Sequence, residues 1–329
     1  MDQCQRTRRF GICMILYACI LRLGISGVPG TVKAWMMDNP LPLFSIFSET
    51  GRNVRFSASS EVISDHFRES PAPWIQKPDK AGFVPGDLDL VEVDYDCDRR
   101  PDLEALLTRP LDWNLKGESP TVLILHTHTT ESYTKSGEKY EETARFRTLS
   151  EGHNMLSVGD AVTEILTAAG IGVIHDRAIH DYPSYNGSYV HSRSAAEQIL
   201  EEYPSVCLVL DLHRDALETT AGTQLRTLAQ VKGMPSAQLM IVVGTDVTRS
   251  AHENWEENLS LALKLHVQLE RLSPGIMRPL NLRAQRFNQD LSPGALLVEV
   301  GAAGNTRQEA LAAAAQLAEA IVSLAEGTE

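Results

Sequence analysis

From Pro120 to the carboxyl end of this 329-residue chain, short apolar runs alternate with segments of helical periodicity. Runs typical of buried strands occur at 121–128, 171–176, 205–213, 237–246 and 295–301, with a shorter candidate at 277–283. Helical segments are expected at 154–169, at 188–202, at 253–272 and after Asn305. Strands that alternate with helices predict an α/β fold with a mostly parallel sheet flanked by helices. We place this α/β domain at residues 118–329.

The amino terminus has the layout of a targeting segment. Arg6, Arg8 and Arg9 precede an uncharged run, Phe10–Leu21. A basic flank before an apolar run predicts an export signal or a signal anchor, with the rest of the chain outside the cytoplasmic membrane. We assign residues 1–34 to this segment. Val32-Lys33-Ala34 is a candidate cleavage site, and both an anchored and a cleaved form are compatible with the pattern.

Residues 35–117 follow no regular pattern, because their short apolar runs are interrupted by Pro-rich and charged stretches. We interpret them as a juxtamembrane stretch and a small, irregular accessory region with a few strands. No residue pattern in this region indicates a chemical function.

Charge and cysteine content exclude some classes of protein. The chain has 43 acidic and 30 basic side chains, for a formal net charge of -13. Such a negative field opposes binding to nucleic acid, and no nucleic-acid partner is expected. The five cysteines form no CxxC pair, which argues against a zinc ribbon or a disulfide framework.

Three of the predicted strands carry polar residues at or near their carboxyl ends. Buried strands do not usually carry such residues. The residues are His126, His128 and Glu131 after the first strand, His213 and Arg214 at the end of the third, and Glu299 within the last. Ligands of open α/β sheets bind beyond the carboxyl ends of the strands, so these residues are expected to share one crevice. Two histidines and a carboxylate suit Zn²⁺, with a fourth position open to water. The pattern therefore predicts a zinc site.

Each of these residues also has a purely structural interpretation. A single histidine at a strand end is more often hydrogen-bonded than metal-bound, and HxH alone is a weak pattern. Glu299 suits a general base and acid because burial raises the proton affinity of a carboxylate, but it is equally able to pair with Arg283 or Arg286. The other histidines are expected to be bystanders. We place His153, His175, His180 and His191 in loops or near helix starts, and His66, His252 and His266 at the surface.

Several motifs, in their order along the chain, resemble those of one family. They are HTHTTESY, NMLSVGD, YNGSYVHSR, DLHRDA, FNQDLS and LLVEVGAAGNTRQEA. From about Thr121 to the carboxyl end the chain resembles the stage II sporulation protein P family, membrane-associated cell-wall hydrolases of endospore-forming bacteria. The resemblance implies an amidase-like α/β fold, since that family is related to zinc-dependent N-acetylmuramoyl-L-alanine amidases. It also implies amidase and peptide-cleaving activity on peptidoglycan.

Residue by residue, the resemblance assigns His213 as the later zinc histidine and Glu299 as the catalytic glutamate. The first zinc histidine is either His126 or His128. Side chains two apart point to the same face of an extended strand, so periodicity does not separate the two.

The third ligand departs from the pattern of the related amidases. They supply a glutamate from the start of their first helix, where this chain has Asn154. Glu131 is the better candidate here. Arg214, next to His213, is expected to donate to the oxyanion.

These assignments predict an exported, zinc-dependent peptidoglycan hydrolase that acts in sporulation and engulfment. It would cleave the amide between N-acetylmuramic acid and the stem peptide. The implied partners are peptidoglycan, the membrane through the amino terminus, and stage II sporulation proteins D and M. One alternative is a metallocarboxypeptidase-like or deacylase enzyme that binds a substrate carboxylate through Arg193 or Arg214. Another is a wall-binding scaffold without catalysis.

Overall fold

The computed structural model describes residues 82–111, 113–247 and 252–327. The expected signal or anchor at 1–34 and the first part of the 35–117 region lie outside these residues. The strands are β1 (Val93–Asp96), β2 (Val122–Leu125), β3 (Val173–His175), β4 (Leu208–Asp215), β5 (Leu228–Val231), β6 (Met234–Ala237), β7 (Leu239–Gly244), β8 (Leu280–Arg283) and β9 (Ala295–Ala302). The helices are α1 (Leu103–Thr108), α2 (Met155–Ala168), α3 (Ser188–Glu202), α4 (Trp255–Leu272) and α5 (Arg307–Gly327). Short 3₁₀ turns occupy Pro85–Leu90 and Gln289–Leu291.

Within the described residues, seven strands form one sheet in the order β1-β8-β7-β9-β4-β2-β3. Neighbouring strands are parallel except for β7 and β9, which pair antiparallel. As a result β9, β4, β2 and β3 run in one direction, and β7, β8 and β1 run in the other. The predicted α/β fold with a mostly parallel sheet is confirmed.

Helices cover both faces of the sheet, which explains the continuous apolar runs in its strands. Val122 and Ile124 of β2 belong to the same buried cluster as residues of α2, α4 and α5. Leu123 and Leu125, on the opposite face, pack with Ala196 of α3 and its neighbours. Both faces of β2 are therefore part of the core. Polar residues follow the strand only at its end, where the chain leaves the sheet.

Two features of the sheet differ from the expected pattern. The antiparallel hairpin of β5 and β6 lies in a stretch where no element was predicted. The described part of the accessory region contributes β1, which pairs with β8 at the edge of the sheet.

Helix α5 is long and apolar enough to cross a membrane by length and composition alone. Its side chains, however, form a large part of the core, with Ala313, Leu317 and Ile321 fully buried. Soluble proteins contain core helices of this kind, and α5 packs against α2 and α4 in this fold.

Candidate active site

The polar strand ends meet because β9, β4 and β2 are adjacent and parallel. In the sheet register Leu125 lies beside Asp211, and His213 lies beside Glu299. Neighbours in register point to the same face of a sheet, so the His213 and Glu299 side chains project together. The carboxyl ends of parallel strands are the usual position of a ligand site in this class of fold.

His213 lies at the centre of the group and is buried. Its Nε2 lies 3.0 Å from Oδ1 of Asp211, and its Nδ1 lies 3.7 Å from Oε2 of Glu131. The geometry of the Nε2 contact is that of an ion pair with Asp211 and not of a well-aligned hydrogen bond. Burial alone would lower the pKa of His213, but the negative charges of Asp211, Glu131 and Glu299 raise it to about 9. The ring is thus surrounded by carboxylates that favour a cation at this point.

Asp211 is itself held in place by the loop that follows β2. Its carboxylate accepts hydrogen bonds from the backbone N–H of Thr127 at 2.8 Å and from the Thr127 hydroxyl at 2.6 Å. These bonds and the neighbouring His213 outweigh the effect of burial and hold the pKa of Asp211 below its usual range. Asp211 is therefore an ionised, fixed carboxylate beside the His213 ring.

His128 joins this group. Its ring lies edge-on to that of His213, with 5.2 Å between ring centroids, and it also contacts the rings of Tyr185 and Tyr189. Its Nδ1 is buried and makes no hydrogen bond. Burial lowers the pKa of His128 to about 4, so the ring is neutral at pH 7.

His126 points elsewhere. Its Nδ1 lies 3.0 Å from the carbonyl oxygen of Leu212, and its Nε2 lies 2.9 Å from Nε2 of His175. A carbonyl oxygen only accepts, so Nδ1 of His126 donates to it and Nε2 accepts from His175. The chain of contacts continues from Nδ1 of His175 to Asp160 at 3.1 Å, and Arg177 pairs with the same carboxylate. Burial lowers the pKa of His126 to about 3.

His175 was expected in a loop, but it ends β3 and is 2% exposed. The signal that pointed to His126 and His213, a histidine that ends an apolar run, applies to His175 as well. His252 and His266 were expected at the surface, and this prediction is wrong because both side chains are buried.

Glu131 is fixed by two arginines. Arg147 lies 3.2 Å from its Oε1, and the backbone N–H of Arg214 donates to its Oε2 at 3.3 Å. The Arg214 guanidinium lies 3.6 Å from the same carboxylate and donates to the carbonyl oxygens of Ser132 and Phe146, both at 3.2 Å. Arg147, to which the sequence interpretation gave no role, also pairs with the buried Asp181.

Glu299 faces the same space without a partner for one of its oxygens. Its Oε2 is buried and accepts no hydrogen bond. Burial is the main cause that raises the pKa of Glu299 to about 8. The alternative partners are occupied elsewhere, since Arg283 lies 3.7 Å from Asp96 and Arg286 lies 3.2 Å from Asp290.

Asn154, at the position where a helix-borne glutamate ligand was considered, has a structural role. Its side-chain oxygen accepts from the backbone N–H of Leu156 at 3.0 Å and so caps α2.

Whether a metal ion fits this site depends on the donor atoms that its side chains offer. In the part of the chain that the structure describes, no three His, Cys, Asp or Glu side chains are arranged so as to hold a metal ion as they stand. The rings of His128 and His213 nevertheless lie in contact, with Nδ1 of His213 facing the Glu131 carboxylate and Nδ1 of His128 buried without a hydrogen bond. Buried polar atoms without a hydrogen bond also occur away from this site, for example in His252 and His266, so the fit rests on the donor chemistry: two imidazoles with a carboxylate are a preferred donor set for zinc.

Comparisons with solved structures return cell-wall amidases with low overall similarity. The N-acetylmuramoyl-L-alanine amidase AmiC2 of Nostoc punctiforme is 15% identical, with 63% of this chain and 94% of that chain covered and a TM-score of 0.36. The N-acetylmuramyl-L-alanine amidase Ami1 of Mycobacterium smegmatis is 13% identical, with 66% of this chain and 100% of that chain covered and a TM-score of 0.38.

Sequence comparison is more specific. Stage II sporulation protein P of Bacillus subtilis (strain 168) is 30% identical over 206 residues, which cover 59% of this chain and 48% of that protein. The match thus spans about half the length of this curated relative. The model of the stage II sporulation protein P (SpoIIP) family matches residues 58–322, and the chain therefore belongs to the stage II sporulation protein P family.

Proposed function

We propose that this chain is a zinc-dependent peptidoglycan hydrolase that cleaves the amide between N-acetylmuramic acid and the stem peptide. The observation that carries the proposal is the meeting of His128, His213, Glu131 and Glu299 in one buried group, in which Nδ1 of His128 and Oε2 of Glu299 make no hydrogen bond. Family membership supports a role in sporulation and engulfment. Cleavage of peptide cross-links is a further activity that the family resemblance suggests.

We assign His128, His213 and Glu131 as the residues that would hold zinc. His126 is left out because both of its ring nitrogens are engaged by Leu212 and His175. When bound, zinc supplies a Lewis acid that polarises a carbonyl and lowers the pKa of a water molecule.

Glu299 is the proton carrier in this proposal. A pKa raised to about 8 lets the carboxylate take up a proton near neutral pH and give it to the leaving amide nitrogen. Its place beside His213 in the register supports this role, because it brings the carboxylate next to a proposed metal ligand.

The remaining polar residues hold these groups in position. Arg147 and Arg214 fix the Glu131 carboxylate from two sides. The guanidinium of Arg214 is engaged by Glu131 and two backbone carbonyls, so we assign it to positioning and not to the oxyanion. Asp211 lies 3.0 Å from Nε2 of His213 and so orients the ring with Nδ1 towards Glu131, because a carboxylate on the other ring nitrogen fixes a ligating histidine and raises its basicity.

The metallocarboxypeptidase-like or deacylase alternative needs a free arginine for a substrate carboxylate. Arg193 lies 3.0 Å from Asp290 and 2.8 Å from Glu197, and Arg214 is occupied as described. Neither is available in this arrangement. The wall-binding scaffold alternative does not explain why Nδ1 of His128 and Oε2 of Glu299 are buried in one site without hydrogen bonds.

The test is metal analysis of the purified chain together with mass spectrometry of digested peptidoglycan. We expect about one zinc per chain. Amidase cleavage releases stem peptides with a free amino-terminal alanine, whereas cross-link cleavage leaves peptides attached to the sugar. Full activity in a metal-free wild-type chain would exclude the zinc mechanism, and intact lactyl amides after digestion would exclude the assigned bond.

For location, we propose that the domain is exported and remains near the membrane through its amino terminus, where it meets stage II sporulation proteins D and M. The basic residues ahead of the apolar run support this orientation. Protease added to intact protoplasts should digest the domain. Protection until lysis would contradict export.

A further inference from the structure

Tyr185 lies where the candidate site meets solvent. It belongs to the connection between β3 and α3, and its ring stacks on that of His128, with 4.5 Å between centroids and 15° between planes. The guanidinium of Arg147 lies 4.8 Å from the same ring. Tyr185 is nevertheless 54% exposed. It thus covers a buried, unbonded histidine and keeps much of its own surface open.

The two neighbouring tyrosines differ from it. Tyr189, on the first turn of α3, lies edge-on to His128 at 5.6 Å, contacts Phe287 and is only partly exposed. Tyr182, on the same connection, is 47% exposed, but its ring is not among those that contact His128. Of the three, Tyr185 combines a stacking contact with the site and the largest exposed fraction.

An open aromatic ring suits a sugar better than a peptide at this position. The C–H face of a pyranose ring is apolar, and a rigid aromatic ring gives it a large flat contact. A stem peptide carries carboxylates that need a free cation. The cation beside Tyr185 is that of Arg147, which already pairs with Asp181 and Glu131.

We propose that Tyr185 is the residue on which a sugar ring of the glycan strand stacks, so that it selects glycan-linked peptides over free peptides. The inference rests on the proposed function, because it names the part of peptidoglycan that this site contacts first. The amide to be cut is attached to that sugar through its lactyl group, so sugar binding at Tyr185 brings the amide towards His128.

The test measures binding apart from cleavage. The full chain carrying Glu299→Gln is bound to purified sacculi, with peptide-free glycan strands or free stem peptides as competitors. Tyr185→Ala and Tyr185→Leu are compared with Tyr185→Phe, which keeps the ring, and with Tyr182→Ala, a matched exposed tyrosine. We expect about tenfold weaker binding for the Ala and Leu variants and no change for Phe or Tyr182→Ala. Glycan strands, and not stem peptides, should compete.

Zinc content and thermal melts show whether each variant is folded, and the Leu variant serves if the Ala variant is not. Binding by the folded Leu variant equal to the parent would overturn the proposal, as would competition by stem peptides alone. A wild-type chain that cleaves no bond, yet binds glycan strands in a Tyr185-dependent way, would contradict the proposed hydrolase and leave the sugar contact supported.

Discussion

His126 and His128 are only two residues apart, but they belong to clusters that differ in how completely their polar atoms are hydrogen-bonded. His126 is bonded through both ring nitrogens, to Leu212 and to His175, and the contacts continue to Asp160. His128 is also buried, though slightly less than His126, but its Nδ1 makes no hydrogen bond and its ring contacts are with other rings. Burial lowers the pKa of both histidines, to about 3 and about 4, so protonation does not separate them.

What separates the two histidines is the set of partners supplied by the fold. Burial of a polar atom without a hydrogen bond is costly, so a native protein keeps such atoms mainly where function or a ligand compensates. His126, whose two ring nitrogens are both hydrogen-bonded, links β2 to β3, β4 and α2; we call it and its partners the saturated cluster. His128 faces His213, and we call these two residues with Glu131 and Glu299 the unsaturated cluster. The comparison supports a structural role for the first cluster and agrees with the metal proposed at the second.

The most decisive test of the difference between the two histidines is to replace each of them with alanine in turn. His128→Ala should lose the zinc and reduce stem-peptide release to background, because one of three ligands is missing. His126→Ala should keep the zinc and lower the melting temperature, because it removes the buried hydrogen bonds to the Leu212 carbonyl and to Nε2 of His175. Metal analysis after dialysis and mass spectrometry of the digest distinguish the outcomes. Loss of zinc from a folded His126→Ala chain, with retention in His128→Ala, would reverse the two assignments.

Within the unsaturated cluster, Glu299 is assigned to proton transfer and not to the metal. Glu299→Gln should retain zinc, bind peptidoglycan and lose on the order of 10²–10⁴ in rate. The amide keeps the size of the side chain, and a thermal melt controls for folding. If the folded variant loses zinc, Glu299 is a ligand and the proton carrier has to be sought elsewhere, first at Glu131.

Much of the fold was predictable because one pattern dominated each segment. The apolar run at 121–128 contains β2, and the helical segment at 188–202 has the bounds of α3. The direction of β7 was not predictable, since an apolar run carries no sign of which way its strand crosses the sheet. The hairpin of β5 and β6 was missed because only some of its side chains are buried and Pro235 interrupts it.

The sequence indicated which strand ends contribute residues to the site, but it did not indicate that His126 and His128 belong to different clusters. After Leu125 the chain leaves the extended conformation and turns, so the alternation that makes His126 and His128 equivalent no longer applies. The partner of His175 is Asp160 on a different element, a contact that only the tertiary fold creates. His266 was misplaced because α4 packs between α1 and α5, and its polar residues are buried with the rest.

A smaller effect is expected from Asp211, which contacts the unsaturated cluster without belonging to the proposed ligands. Asp211→Asn removes the charge beside His213 and should weaken zinc binding about 10–100-fold. Asp215→Asn is a matched control on the same strand, since Asp215 pairs with Arg278 at 2.7 Å. Competition with a chelator measures the affinity in both variants. Equal affinities would show that Asp211 does not orient His213.

The smallest effect on zinc, and the sharpest test of the saturated cluster, is expected at Gly159 on α2. A Cβ there would lie 2.4 Å from Nε2 of His175 and 2.6 Å from Nε2 of His126, so the two bonded rings leave no room for a methyl group. Alanine favours a helix over glycine by roughly 1 kcal/mol, but forced repacking of a core typically costs about 1–3 kcal/mol. Gly159→Ala should therefore lower the free energy of unfolding or leave it unchanged, with zinc retained. Gly152→Ala, where no atom lies within 4 Å of the new Cβ, is the control. A Gly159→Ala chain that is more stable than wild type would mean that the His126–His175 pair moves apart at little cost, and His126 would again be a candidate ligand.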